Sequence, residues 1–200
     1  MTIWFATGNS HKRAELAAIL PGHTIKIPAD ESFAFDPDET GASFAENALI
    51  KARELHRLVS APVIADDSGL CVDALDGRPG IYSARYGNAG ISVPGGREKL
   101  SAPERNALLL QELGDNPCRQ ARFVCAMVLL FSEDRFYLVQ ETLEGELIRE
   151  ERGRGGFGYD PILYLPQLGH TVAELPEEEK NRVSHRGKAG RAIAKLLTEQ

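Results

Sequence analysis

With 200 residues, the chain is long enough for one domain or a tight two-lobed unit and too short for a multidomain assembly. Its 42% hydrophobic and 26% charged residues are those of an ordinary globular protein, which excludes a disordered tail or a disulfide-stapled miniprotein. The formal charge of -6, from 29 acidic and 23 basic residues, argues against binding nucleic acid or an anionic membrane, and leaves room for a small anion held by local Lys and Arg.

In chain order, the apolar run 3 to 6, the turn Thr7-Gly8-Asn9-Ser10 and a segment carrying Leu16, Ile19 and Leu20 up to Pro21-Gly22 predict strand, tight turn and helix. Ser43 with Glu46 forms a capping box, and Phe44, Ala48, Ala52, Leu55 and Val59 follow at helical spacing, which predicts a helix from about 44 to 59. Pro62-Val63-Ile64-Ala65 reads as a strand buried on both faces that ends at Asp66-Asp67-Ser68-Gly69. The stretch 77 to 96, rich in Gly, Pro and Tyr, reads as loop, with room for a short strand or turn. A second capping box, Ser101 with Glu104, opens a helix closed by Gly114. Residues from about 120 to 131 and 135 to 142 predict an antiparallel hairpin and so a mixed sheet. Pro176 and three glutamates suit the first turn of a short helix, and Ala189, Ile193, Leu196 and Leu197 mark a last amphipathic one. No linker divides residues 1–200, which are taken as one domain.

Cys71, Cys118 and Cys125 form no CxxC motif, and neither a leader nor an apolar run of roughly 18 residues is present; a reduced, cytoplasmic setting is expected. The five histidines lack zinc spacing, so any metal should be a hard ion on carboxylates. Asn9, Ser10 and the amides after Thr7-Gly8, with Lys12 just inside the helix, suit a phosphate; the alternative is an N-cap with an exposed Lys. Asp66-Asp67 at the end of a buried strand would repel each other unless a cation such as Mg²⁺ offset them, or form a capped turn. The acidic loop Asp36, Asp38, Glu39 completes such a site or is merely solvated. Gly153 to Gly158 satisfies GxGxxG, but it follows a charged run and precedes Asp160-Pro161, so it is a glycine-rich loop displaying Phe157 and Tyr159 to a base or to the core, not a dinucleotide fingerprint. Lys180, Ser184, His185 and Arg186 gather cations before the last helix, to hold phosphates or read base oxygens, or as a solvated helix start.

Taken together and in order, Thr7-Gly8-Asn9-x-x-Lys12, Ser43-Phe44-x-Glu46-Asn47-Ala48-x-x-Lys51-Ala52, Asp66-Asp67-Ser68-Gly69-Leu70, Pro79-Gly80-x-Tyr82-Ser83-Ala84-Arg85-Tyr86, Phe157-Gly158-Tyr159-Asp160-Pro161 and Ser184-His185-Arg186-Gly187 closely resemble the inosine triphosphate pyrophosphatase family, also called dITP/XTP pyrophosphatases, from residue 5 to about 190. Leu163 departs from the aromatic residue many members carry there. The resemblance implies an α/β fold, an elongated mixed sheet flanked by helices in two lobes with the site in the cleft between them. It also implies a Mg²⁺-dependent homodimer that cuts ITP, dITP and XTP between the α and β phosphates. Position by position, Thr7, Gly8, Asn9, Ser10, His11 and Lys12 would hold the triphosphate. Asp67 would be general base and metal ligand, with Asp38 or Glu39 as the upstream ligand, and Ser68 would touch the substrate. Phe157, Gly158, Tyr159, Asp160, Lys180, His185 and Arg186 would form the nucleoside pocket, with Arg186, His185 or the backbone amides of the 156 to 160 loop as donors to the oxygen at C6. A binding module without turnover is the competing reading, and the acidic pair speaks against it.

Overall fold

The computed structural model describes residues 1–87 and 100–198. Strands β1 (Thr2–Phe5), β2 (Thr24–Lys26), β3 (Val63–Val72), β4 (Gln120–Ser132), β5 (Arg135–Leu147), β6 (Leu163–Leu165) and β7 (His170–Thr171) form one sheet in the order β2-β1-β3-β4-β5-β6-β7. The helices are α1 (Ser10–Ile19), α2 (Phe44–Val59), α3 (Ala102–Leu113), α4 (Glu177–Val183) and α5 (His185–Thr198). β1 runs parallel to both β2 and β3, and β5·β6 and β6·β7 are antiparallel, so the fold is α/β with a mixed sheet, as expected. Neighbours β4 and β5 are joined through Glu133-Asp134 alone, a link only antiparallel strands can make.

The chain forms two compact units, Met1–Ser68 with Val124–Thr142 and Asn181–Gln200, and Gly69–Phe123 with Leu143–Lys180. In the first, Ile3, Phe5, Ile64, Cys125, Met127 and Leu129 line one sheet face and pack with Leu16 and Leu20 of α1 and Ala189, Ile193 and Leu197 of α5. Strand alternation sends Val63, Ala65 and Asp67 to the other face, where Asp67 meets side chains of α2. In the second unit, Leu109 and Leu113 of α3 are buried, as are Leu143 and Leu147 of β5 and Ile162, Leu163 and Leu165.

Two predicted features need correction. β3 does not stop at Asp66 but runs on to Val72, because the carboxylates inside it are neutralised by Lys12 and Lys51 and the strand need not turn out to solvent. β6 and β7 were not foreseen; they are three and two residues long, too short to show a period. The short turn expected within the loop over 77 to 96 is a 3₁₀ helix, Gly80–Arg85, and the part of that loop from 88 onward lies outside the described residues. Helix starts follow the sequence closely. Ser43 accepts the amide of Glu46, though the Glu46 carboxylate takes the amide of Ala42 rather than closing the box, whereas Ser101 and Glu104 cap each other reciprocally.

Candidate active site

Because side chains alternate along a strand, Asp66 and Asp67 leave β3 on opposite faces. They lie not at a sheet edge but on an interior strand, where each meets its own cation, Lys12 or Lys51, within one charged cluster.

On the α1/α5 face, Asp66 is almost fully buried and surrounded by cations. Lys12 Nζ lies 3.1 and 3.0 Å from its two oxygens, and the Nε and Nη2 groups of Arg186 each donate to Oδ2 at 3.1 Å. Arg186 also donates to Glu15 Oε2 at 2.6 Å and to Ser68 Oγ at 2.8 Å. Burial alone would raise the Asp66 carboxyl, but Lys12, Arg186 and Lys51 outweigh it and hold the group well below the usual carboxylate range. Burial lowers Lys12, opposed by Asp66. Burial would also lower Arg186, yet Asp66 and Glu15 hold it above its ordinary value. The Cys125 thiol donates to Asp66 Oδ2 at 3.9 Å and is pushed up to about 12, chiefly by burial, so it remains neutral. Arg186, expected to face a base, is here 1% exposed and embedded among carboxylates. The reason is local: its helix start lies over β3, and Gly187 lets the chain turn tightly, since a Cβ there would meet the Asn181 carbonyl at 1.8 Å.

On the α2 face, Lys51 Nζ donates to Asp67 Oδ1 at 2.9 Å and to Glu39 Oε1 at 2.8 Å. Asn47 accepts the Gly41 amide at 2.8 Å and turns its amino group to Asp67 Oδ2 at 3.4 Å, tying the acidic loop to the strand. Burial is the main cause raising the Asp67 carboxyl; Lys51 opposes it and Glu39 adds to it. Of the two upstream carboxylates left open by the sequence, Glu39 reaches this cluster, while Asp36 and Asp38 are exposed. Among the described residues no group of three or more His, Cys, Asp or Glu is arranged as a metal cage. The donor set nevertheless fits Mg²⁺. Glu39 and Asp67 offer hard oxygens on one Lys, and Mg²⁺ takes only one or two protein carboxylates. The surrounding charge fits as well, for Glu15, Glu39, Asp66 and Asp67 face Lys12, Lys51 and Arg186, an excess of one negative charge.

The turn after β1 delivers Lys12 to Asp66. Asn9 caps α1, its Oδ1 accepting the amides of His11 at 2.9 Å and Lys12 at 3.3 Å, and Thr7 Oγ1 accepts the Asn9 amide at 3.1 Å. The N-cap alternative is therefore realised for those amides. Gly8, Ser10 and His11 are exposed beside them.

In the second unit, Lys180 donates to Asp160 Oδ2 at 2.9 Å and lies 4.7 Å from the Phe157 ring centroid. The same carboxylate oxygen accepts the Phe157 amide at 2.8 Å. Gly156 permits this wrap, with φ of 70° and a Cβ position only 2.0 Å from Asp160 Oδ2. Tyr159 is buried and donates to the Ser83 carbonyl at 3.0 Å, so it fills the core rather than displaying itself, and Gly158 has its carbonyl on Asn106 at 3.1 Å. His185 opens α5 in the first unit and is buried.

Sequence reasoning assigned no role to Lys51, Asn47 or Glu15. Lys51 and Asn47 had a signal, being polar on the face of α2 marked by Phe44, Ala48, Ala52 and Leu55. Glu15 had none, since its partner Arg186 lies 171 residues away.

Residues 3–196 match the model of the Ham1 family. The chain is 51% identical over 197 residues to the dITP/XTP pyrophosphatase of Treponema denticola, covering 98% of each, and 46% identical over 192 residues to that of Geobacillus kaustophilus, covering 94% of this chain and 89% of the relative. Its structure resembles the Staphylococcus aureus Ham1 protein with a TM-score of 0.85 at 37% identity, each chain covered in full. It also resembles the nucleoside-triphosphatase / dITP/XTP pyrophosphatase of Mycobacterium abscessus with a TM-score of 0.75 at 42% identity, covering 98% and 99%. On sequence and structure alike, the chain belongs to the Ham1 family, that of the dITP/XTP pyrophosphatases.

Proposed function

We propose that this chain hydrolyses deaminated purine nucleoside triphosphates, ITP, dITP and XTP, to the monophosphate and pyrophosphate, clearing them from the nucleotide pool. The observation that carries this reading is the buried Asp67, raised in basicity and held by Lys51 and Asn47, in a chain half identical along its whole length to a dITP/XTP pyrophosphatase. Phosphoryl transfer asks chiefly for charge neutralisation and an aligned water. Lys12, beside the turn of Thr7, Gly8, Asn9, Ser10 and His11, supplies positive charge for the phosphates. Asp66 fixes that lysine as its counter-ion, and Arg186, itself held by Glu15, keeps Asp66 in place. Asp67 takes the proton of the attacking water, and a carboxyl raised above about 3.9 is a better base than an ordinary Asp.

Glu39 and Asp67 would hold Mg²⁺, which when bound neutralises phosphate charge. Ser68 contacts the substrate. Phe157, Gly158, Asp160, Lys180 and His185 take the nucleoside, with Lys180 and His185 as donors to the purine oxygens that distinguish ITP and XTP from ATP. The enzyme works as a homodimer in the cytoplasm, a setting that suits its three free cysteines. The test is product identity: ITP with Mg²⁺ should give inosine monophosphate and pyrophosphate in equal amounts, and inosine diphosphate with orthophosphate would reject the reading.

A further inference from the structure

Lys51 projects from α2 at a position its neighbours Ala48, Ala52 and Leu55 mark as core-facing, and its side chain is only 10% exposed. A buried ammonium survives only with counter-ions. Here one Nζ holds two carboxylates from different segments, Glu39 and Asp67, which lie 12 and 16 residues from it in sequence. Without that charge the two acids would face each other across a partly desolvated space and repel. They are the same two oxygen donors assigned above to Mg²⁺, and the inference rests on that reading.

We propose that Lys51 is a positioning residue that stands in for the divalent cation: its ammonium holds Glu39 and Asp67 together in the metal-free chain and competes with Mg²⁺ for them. The carboxylate pair is thereby assembled before any metal arrives. The same charge makes the nucleotide-free chain a loose Mg²⁺ binder, since it cancels one of the two negative charges and repels a dication a few ångströms away. Asn47 leaves this arrangement intact whichever cation is present, because its amide carries no charge and ties the Gly41 backbone to Asp67.

The experiment uses the full chain without nucleotide, in chelator-treated buffer, with Mg²⁺ alone as probe. Equilibrium dialysis gives the affinity and the Mg²⁺-dependent rise in Tm reports it independently. Lys51→Gln and Lys51→Met should each melt lower than the unmodified chain in chelator, yet bind Mg²⁺ at least about tenfold more tightly, a modest fraction of what removing a unit charge beside a dication is worth. A lysine that merely packs would lower Tm and leave the Mg²⁺ affinity unmoved, so an unchanged or weaker affinity in a folded variant overturns the proposal. Should both variants be unfolded in chelator, Mg²⁺ must fold them, and failure to do so overturns it equally. Glu39→Gln added to Lys51→Gln should abolish the gain. A gain that persists places the metal elsewhere and removes the Glu39 and Asp67 assignment along with the inference. Unchanged affinity in Lys51→Gln, combined with a loss in Glu39→Gln alone, overturns the inference and leaves the assignment standing.

Discussion

Asp67 and Asp66 are adjacent in sequence and opposite in electrostatic sense. A carboxyl whose pKa is raised on folding contributes stability that is fully present below its unfolded value of about 3.9 and is lost as the pH climbs through the higher folded value, so ionised Asp67 costs stability at neutral pH. Asp67→Asn should therefore melt at the same temperature or higher at pH 7 while kcat falls at least about 10²-fold, the scale of a lost general base. Thermal melts beside steady-state kinetics check both halves, and an unchanged kcat would move the base elsewhere. Asp66 is depressed, so its contribution is present above about 3.9 and disappears as the pH falls through the lower folded value. Removing either partner of that buried array leaves an uncompensated charge, and Arg186→Ala should cost about 3 to 5 kcal/mol in denaturant unfolding at neutral pH. A stable Arg186→Ala protein with altered base preference would instead return Arg186 to the nucleoside pocket where the sequence placed it.

The turn between α4 and α5 depends on Gly187, whose missing Cβ leaves room for the Asn181 carbonyl. Gly187→Ala should destabilise by at least about 1 to 3 kcal/mol, measured by chemical unfolding, because it is backbone that would have to shift. The first turn of α5 holds Arg186, so lost ordering there should also loosen Asp66 and Lys12. Elements of this kind show how much could be read in advance. Capping residues Asn9, Ser43 and Ser101 announced α1, α2 and α3, and the apolar spacing of Ala189, Ile193 and Leu197 announced α5, because caps and periodicity are local properties. β3 was cut short because two aspartates oppose every local preference for a buried strand. They are tolerated through Lys12, Lys51 and Arg186, the last 120 residues away, and no local pattern reports a pairing at that distance. The motif order pointed to Asp67 and Lys12, whereas the choice of Glu39 over Asp38 needed the position of Lys51 in space.

At the scale of the whole molecule, the proposed reaction brings a polyanion to a cluster that already carries an excess negative charge, so turnover should disappear in EDTA and return with Mg²⁺. Full activity in metal-free buffer would contradict the assignment of Glu39 and Asp67. Base selection is a separate matter of hydrogen-bond inventory. The proposed donors to a C6 oxygen are His185 and Lys180, whose ammonium carries further N–H groups besides the one on Asp160. An unpaired buried donor costs about 1 to 3 kcal/mol, so two mismatches amount to a preference of about 30-fold to 10⁴-fold in kcat/KM for ITP over ATP. Equal values for the two nucleotides would reject the donor pocket without touching the chemistry. The most direct measurement of the central claim is the product balance of ITP hydrolysis with Mg²⁺, in a preparation free of other phosphatases. One pyrophosphate per inosine monophosphate is expected, and inosine diphosphate appearing with orthophosphate would contradict it.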